Sequence, residues 1–148
     1  MNTTRRTFLK SASAAGLGAL FIPNYLSAAP SSKLRFAVIG VGGRGVASWS
    51  QVPPESIVAM CDVDERLAAN GFAARPNAKK YKDFRKMFDE MHKEIDAVII
   101  ATPDHTHFPA AMAAMELGMH VLVEKPLAHN IWQCRTLKAA AKHYGVVS

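Results

Sequence analysis

The sequence predicts an α/β domain, a parallel sheet with helices on both faces. Three observations carry that prediction. Short β-branched apolar runs recur along the chain, in "LRFAVIG", "SIVAMCD", "IDAVIIAT" and "HVLVE". Between them lie stretches of helical pattern about 10–15 residues long. The runs are continuously apolar rather than alternating, as in strands buried on both faces. With right-handed crossovers such a chain winds into a doubly wound sheet. Its 148 residues, 49% hydrophobic and 20% charged, suffice for one core.

Taken in order, "LRFAVIG" is the first strand and "GRGVASWSQV" the helix after it. "SIVAMCD" is the second strand and "VDERLAANGFAAR" the second helix. A third strand is weakly marked near "KKYKD". Asp83 is placed as the N-cap of "FRKMFDEMHKE", because its carboxylate can accept a first-turn amide. "IDAVIIAT" is the fourth strand, and the next helix, "HFPAAMAAMELG", is closed by Gly118. "HVLVE" is the fifth strand, "NIWQCRTLKAAAKHYG" a helix ended by Gly145, and "VVS" begins a sixth strand. Cys61 falls in a strand and Cys134 in a helix; both read as buried free thiols.

Ahead of the folded part, "TTRRTFLKSASAAGLGALFIPNYLSAAP" has a basic start, an apolar middle and small residues at its end. That layout is an export signal over residues 1–29, with cleavage expected near Ala29. The apolar stretch from Ser11 to Leu26 contains Gly16, Gly18 and Pro23, too short and weak to span a bilayer. Thr4-Arg5-Arg6-Thr7-Phe8-Leu9-Lys10 resembles the twin-arginine signal, Ser/Thr-Arg-Arg-x-Phe-Leu-Lys. The twin-arginine translocase is therefore an expected partner, and the periplasm the expected destination.

The formal charge of +6 overstates any basic surface. Arg5, Arg6 and Lys10 account for three of the 18 basic residues, and residues 1–29 hold no acid. The rest sets 15 basic against 12 acidic side chains. The basic residues from Arg75 to Lys86 read as a solvated helix face and its approach, so nucleic acid is not an expected partner.

Gly40-Val41-Gly42-Gly43-Arg44-Gly45 reads G-x-G-x-x-G between the first strand and the first helix. In that context it is a dinucleotide-binding fingerprint. Gly40 is expected to form the tight turn, Gly42 to bring backbone near a pyrophosphate, and Gly45 to pack helix on strand. Asp62, 22 residues after Gly40, can accept hydrogen bonds from the adenosine ribose and repel a 2′-phosphate. NAD is the expected cofactor, with NADP the alternative if Arg44 or Arg66 offsets that carboxylate. The plainer reading is a glycine turn, a capping Asp64 and a solvated Asp62.

"ATPDHTHFPAA" follows the fourth strand, where strand order reverses and open α/β sheets bind ligands. Thr102 and Pro103 would face the nicotinamide half, and Asp104 to His107 would open the helix. His105 and His107 are two apart and diverge on a helix, so no metal site is expected. The plainer reading has Asp104 capping that helix and both histidines partly exposed. Glu124-Lys125-Pro126 ends the fifth strand on the same edge. A lysine there can reach a ribose and a substrate hydroxyl as an acid/base group, with Glu124 bonding the ribose and Pro126 fixing the loop, through a cis peptide as one option. The alternative is an ordinary strand-end ion pair.

These motifs, "GVGGRG", "CDVD", "ATPDHTH" and "GMHVLVEKP", resemble in order and spacing the N-terminal domain of the Gfo/Idh/MocA oxidoreductases. The resemblance covers residues 33–148 and implies a Rossmann NAD(P)-binding domain. It implies a cofactor set of Gly40, Gly42, Gly43, Arg44, Gly45, Asp62, Thr102, Pro103, His107, Glu124 and Lys125, with Lys125 the active-site lysine. The family's usual Thr-Pro-Asn reads Thr102-Pro103-Asp104 here, a carboxylate where the family has an amide. Family members continue into a second α/β domain that binds substrate; this chain is expected to be a fragment or truncated product, inactive alone. The implied activity of the full-length protein, expected to be a homo-oligomer, is hydride transfer between nicotinamide and a sugar, cyclitol or related polyol. The alternatives are a non-catalytic NAD-binding module and an NAD-dependent glycosidase. The glycosidase branch usually alters the Glu-Lys-Pro stretch, which this sequence keeps.

Overall fold

The apolar runs become five parallel strands in the computed structural model, which describes residues 33–148. The export signal read at residues 1–29 lies outside them. The strands are β1 (Phe36–Ile39), β2 (Ile57–Cys61), β3 (Lys79–Tyr81), β4 (Ala97–Ile100) and β5 (His120–Val123). The helices are α1 (Gly45–Trp49), α2 (Glu65–Ala74), α3 (Phe84–Met91), α4 (Asp104–Glu116) and α5 (Ile131–Tyr144). Strand order is β3-β2-β1-β4-β5, the doubly wound Rossmann order, with Ala37 of β1 level with Ala59 of β2 and Val98 of β4. The chain leaves β1 towards one side of the sheet and enters β4 on the other. A crevice therefore opens at their carboxyl ends.

Successive strand residues point to opposite faces, and this splits the interior in two. Ala37, Ile39, Ala59 and Val98 pack with Met87, Phe88 and Met115. Val38, Met60 and Ile99 pack with Trp49, Ala68 and Phe72. Fully burying one such large side chain contributes roughly 1.5–3 kcal/mol, so a polar residue on either face would be costly. That is why these strands are apolar throughout.

The helix starts follow from side-chain acceptors. Asp64 accepts from the Arg66 and Leu67 amides at the head of α2, and Asp83 from Arg85 at the head of α3. Asn130 accepts from Gln133 at the head of α5. The helix read from "GRGVASWSQV" is shorter than expected and closes at Trp49. Pro53 and Pro54 follow closely, and a residue before proline avoids helical backbone. The sixth strand read at Val146–Ser148 is not formed; the segment is held beside β5 by the Val121 amide, which donates to the Val147 carbonyl at 2.9 Å, and by the Val147 amide, which donates to His120 Nδ1 at 3.0 Å. Cys61 is buried as expected, while Cys134 is only half-buried; both thiols are free.

Candidate cofactor site

The glycine loop leaves β1 through a turn that only glycine makes easily. Gly40 has φ +88°, and a Cβ there would meet the Ala101 carbonyl oxygen at 2.6 Å. A Cβ on Gly45 would lie 1.9 Å from the Gly40 carbonyl oxygen, so α1 can start this close to β1 only without a side chain. Gly42 has a packing constraint as well as the expected approach to a pyrophosphate. Its missing Cβ makes room for Leu67 of α2, whose carbonyl oxygen would be 2.8 Å away. Gly43 faces open space, with nothing within 4 Å of its Cβ position.

Asp62 follows β2 and turns towards this loop. Its Oδ2 accepts from the Val41 amide at 2.8 Å and the Gly42 amide at 3.0 Å, and its Oδ1 from Asp64 at 3.0 Å. A carboxylate offers about four acceptor positions, so some capacity remains beyond these three bonds. A cleft of about 550 Å³ begins beside it and runs across the sheet edge to Thr102 and Pro103. Gly40, Gly42 and Gly43 line its floor, and Leu67 and Phe84 give it apolar walls.

At the far end, Thr102 and Pro103 are organised from below. The Thr106 hydroxyl lies 2.7 Å from both the Thr102 hydroxyl and the Pro103 carbonyl. With one proton, it donates to the carbonyl and accepts from Thr102. His107 is 1% exposed, not partly exposed as the plainer reading had it. Its Nε2 sits 2.7 Å from the Thr102 carbonyl and its Nδ1 2.8 Å from the Pro126 carbonyl. One buried ring thus ties the β4 exit to the β5 exit. Asp104 is the first residue of α4 rather than its cap, which is Pro103.

Glu124 extends the β5 ladder, its amide donating to the Ile100 carbonyl at 2.9 Å. Its carboxylate accepts from the Ser48 hydroxyl at 2.5 Å and lies 3.7 Å from Arg44 Nε. The Ser48 bond, aided by Arg44 and Lys125 and opposed by desolvation, holds this carboxyl below the usual range. Lys125 is exposed, and the Lys125–Pro126 peptide is cis.

The structure therefore gathers Gly40, Gly42, Gly43, Asp62, Thr102 and Pro103 around one cleft. Gly45 and His107 are buried beneath its ends, while Arg44, Glu124 and Lys125 stand beside it. Sequence reasoning missed Ser48, which no local motif distinguishes. It also missed Lys82, Phe84 and Arg85, which line the cleft because β3 ends there. The available signal was their position just past a strand, but that strand was weakly marked.

The residues present fit a dinucleotide. Among the described residues, the Gly43 and Arg44 amides donate to no protein group, and the Cβ position of Gly43 faces open space. Free amides at a helix start suit phosphate oxygens, and Asp62 retains acceptor capacity for ribose hydroxyls.

Comparison with known proteins agrees with this geometry. The chain is 51% identical over 121 residues to the uncharacterized oxidoreductase YdgJ of Escherichia coli, covering 79% of this chain and 34% of that protein. It is 34% identical over 166 aligned residues to a glycosyl hydrolase family 109 protein of Solibacter usitatus, covering 95% and 38%. Among solved structures, the UDP-N-acetylglucosamine 3-dehydrogenase GnnA from Acidithiobacillus ferrooxidans superposes with a TM-score of 0.63 at 28% identity, over 76% of this chain and 36% of that one. The chain thus spans roughly a third of the length of the relatives it matches. Residues 34–148 match the Gfo/Idh/MocA oxidoreductase family by its NAD-binding Rossmann fold, and the chain belongs to that family.

Proposed function

We propose that this chain is the cofactor-binding part of an exported oxidoreductase that moves hydride between NAD and a sugar, cyclitol or related polyol. The observation that carries the reading is the tie from Glu124 to Ser48 and Arg44, which joins the end of β5, just before Lys125, to the glycine loop and the helix it opens. NAD, when bound, supplies the hydride acceptor or donor. The chain's own residues do the rest. Gly43 and Arg44 offer amides to phosphate, Asp62 accepts from ribose, and Thr102 with Pro103 shapes the far end of the cleft. Lys125, exposed on the edge, is the group able to pass a proton to or from a substrate hydroxyl.

The test is to incubate the full-length protein with NAD and a panel of sugars and polyols, following NADH. Net NADH formation with at least one of them is the expected result. A second reading, an NAD-dependent glycosidase, is favoured by the similarity to the glycosyl hydrolase family 109 protein over 95% of the chain. It requires cleavage of an aryl glycoside with no net NADH, and that outcome would replace the first reading.

Export is part of the proposal and rests on Thr4 to Lys10. Changing Arg5 and Arg6 together to lysine is expected to keep the protein in the cytoplasm with its leader attached. Fractionation followed by immunoblotting reads the result. Normal export in a strain without the twin-arginine translocase would count against it.

A further inference from the structure

Two helix starts at the adenosine end of the cleft share one arrangement. In Asp64-Glu65-Arg66 and in Asp83-Phe84-Arg85, the capping aspartate also binds the guanidinium two residues on. Arg85 reaches Asp83 through Nε at 3.0 Å and Nη2 at 3.1 Å, while Lys82 lies 3.2 Å from Glu65. Lys82 and Arg85 are the two lysine or arginine side chains lining the cleft that Asp62 also lines. Arg66 is not among them, and its side chain is 92% exposed. Arg44, the other cation the sequence offered, stands against Glu124.

A 2′-phosphate on the adenosine ribose needs cations free to meet it, and arginine is the side chain best shaped for the task. Here both cleft cations already have a carboxylate partner. We infer that Asp83 and Glu65, by holding Arg85 and Lys82, are specificity-determining residues that join Asp62 in selecting NAD against its 2′-phosphorylated form. The inference rests on the proposed cofactor reading and adds residues to it. Lys80, the remaining cation on this side, is outside this cleft lining; it stands 5.6 Å from the Phe72 ring and lines an adjoining pocket with Asp62, Glu65 and Lys82.

Asparagine caps helices about as well as aspartate, so Asp83→Asn keeps the cap while releasing Arg85. The probes are 5′-ADP and 2′,5′-ADP, titrated calorimetrically into the full-length protein. In Asp83→Asn the affinity ratio is expected to move about tenfold towards 2′,5′-ADP, the worth of one charge-assisted bond. Glu65→Gln is expected to move it in the same direction. Adding Arg85→Ala to Asp83→Asn should reverse the gain. Asp64→Asn removes the same charge but releases Arg66, outside the cleft, and should move the ratio less. An unchanged ratio in Asp83→Asn, or an equal gain in Asp64→Asn, would overturn the inference. Failure of the unsubstituted protein to bind 5′-ADP or NAD at all would instead overturn the cofactor reading beneath it.

Discussion

Replacing Lys125 by alanine in the full-length protein is expected to lower turnover by about 10²–10⁴-fold, the usual contribution of a positioned acid/base group. NAD affinity should largely persist, because the glycine loop and Asp62 make their contacts without the ammonium. The same separation should appear in the kinetics, with kcat falling and KM for the cofactor little changed. Lys125 is exposed and follows a carboxylate already engaged by Ser48 and Arg44, so its loss leaves no buried charge unpaired. Folding should therefore be preserved, and a stopped enzyme that still binds NAD is the informative result. Turnover within a factor of two of the unsubstituted protein would remove Lys125 from the chemistry.

His107→Leu should be strongly destabilising. The ring is buried and meets two carbonyls, those of Thr102 and Pro126. Leucine fills similar space but donates to neither carbonyl; a neutral imidazole carries one N–H, so at least one acceptor loses its donor, at a cost of about 1–3 kcal/mol. Urea unfolding should show the midpoint falling with little change in slope, since the surface exposed on unfolding stays the same. His105, two residues earlier and with its side chain 66% exposed, provides the contrast. His105→Leu should stay within about 0.5 kcal/mol. Equal losses at the two positions would contradict the assignment of a bridging role to His107.

The features legible in the sequence were those decided by local chemistry. β1, β2 and β4 announce themselves because each feeds two cores and has no polar position. The Asp64 and Asp83 caps were legible for the same reason, as their acceptors serve amides two residues away. β3 is an edge strand, and its Lys79 and Lys80 are exposed, so little apolar signal marked it. What was hidden is tertiary. Ser48 meets Glu124 across 76 residues of chain, and His107 meets Pro126 across 19. Neither pairing follows from spacing; each needs β1, β4 and β5 side by side. Gly42 makes the same point, since its neighbour Leu67 is set by how α2 returns over the loop.

Cys61 gives the cleft a form of chemical durability. It ends β2 and lines the cleft, directly beneath where Asp62 turns to the glycine loop. Burial, with the Asp62 and Asp83 charges adding to it, pushes its thiol up to about 12. At neutral pH the reactive thiolate is then a minor species. Oxidation and disulfide exchange begin with attack by the thiolate, so this sulfur should stay reduced where a surface thiol would not. A sulfenic acid or mixed disulfide there would thrust polar bulk between the strand and the Asp62 carboxylate. The carboxylate that organises the loop thus also helps keep its neighbouring sulfur unreactive.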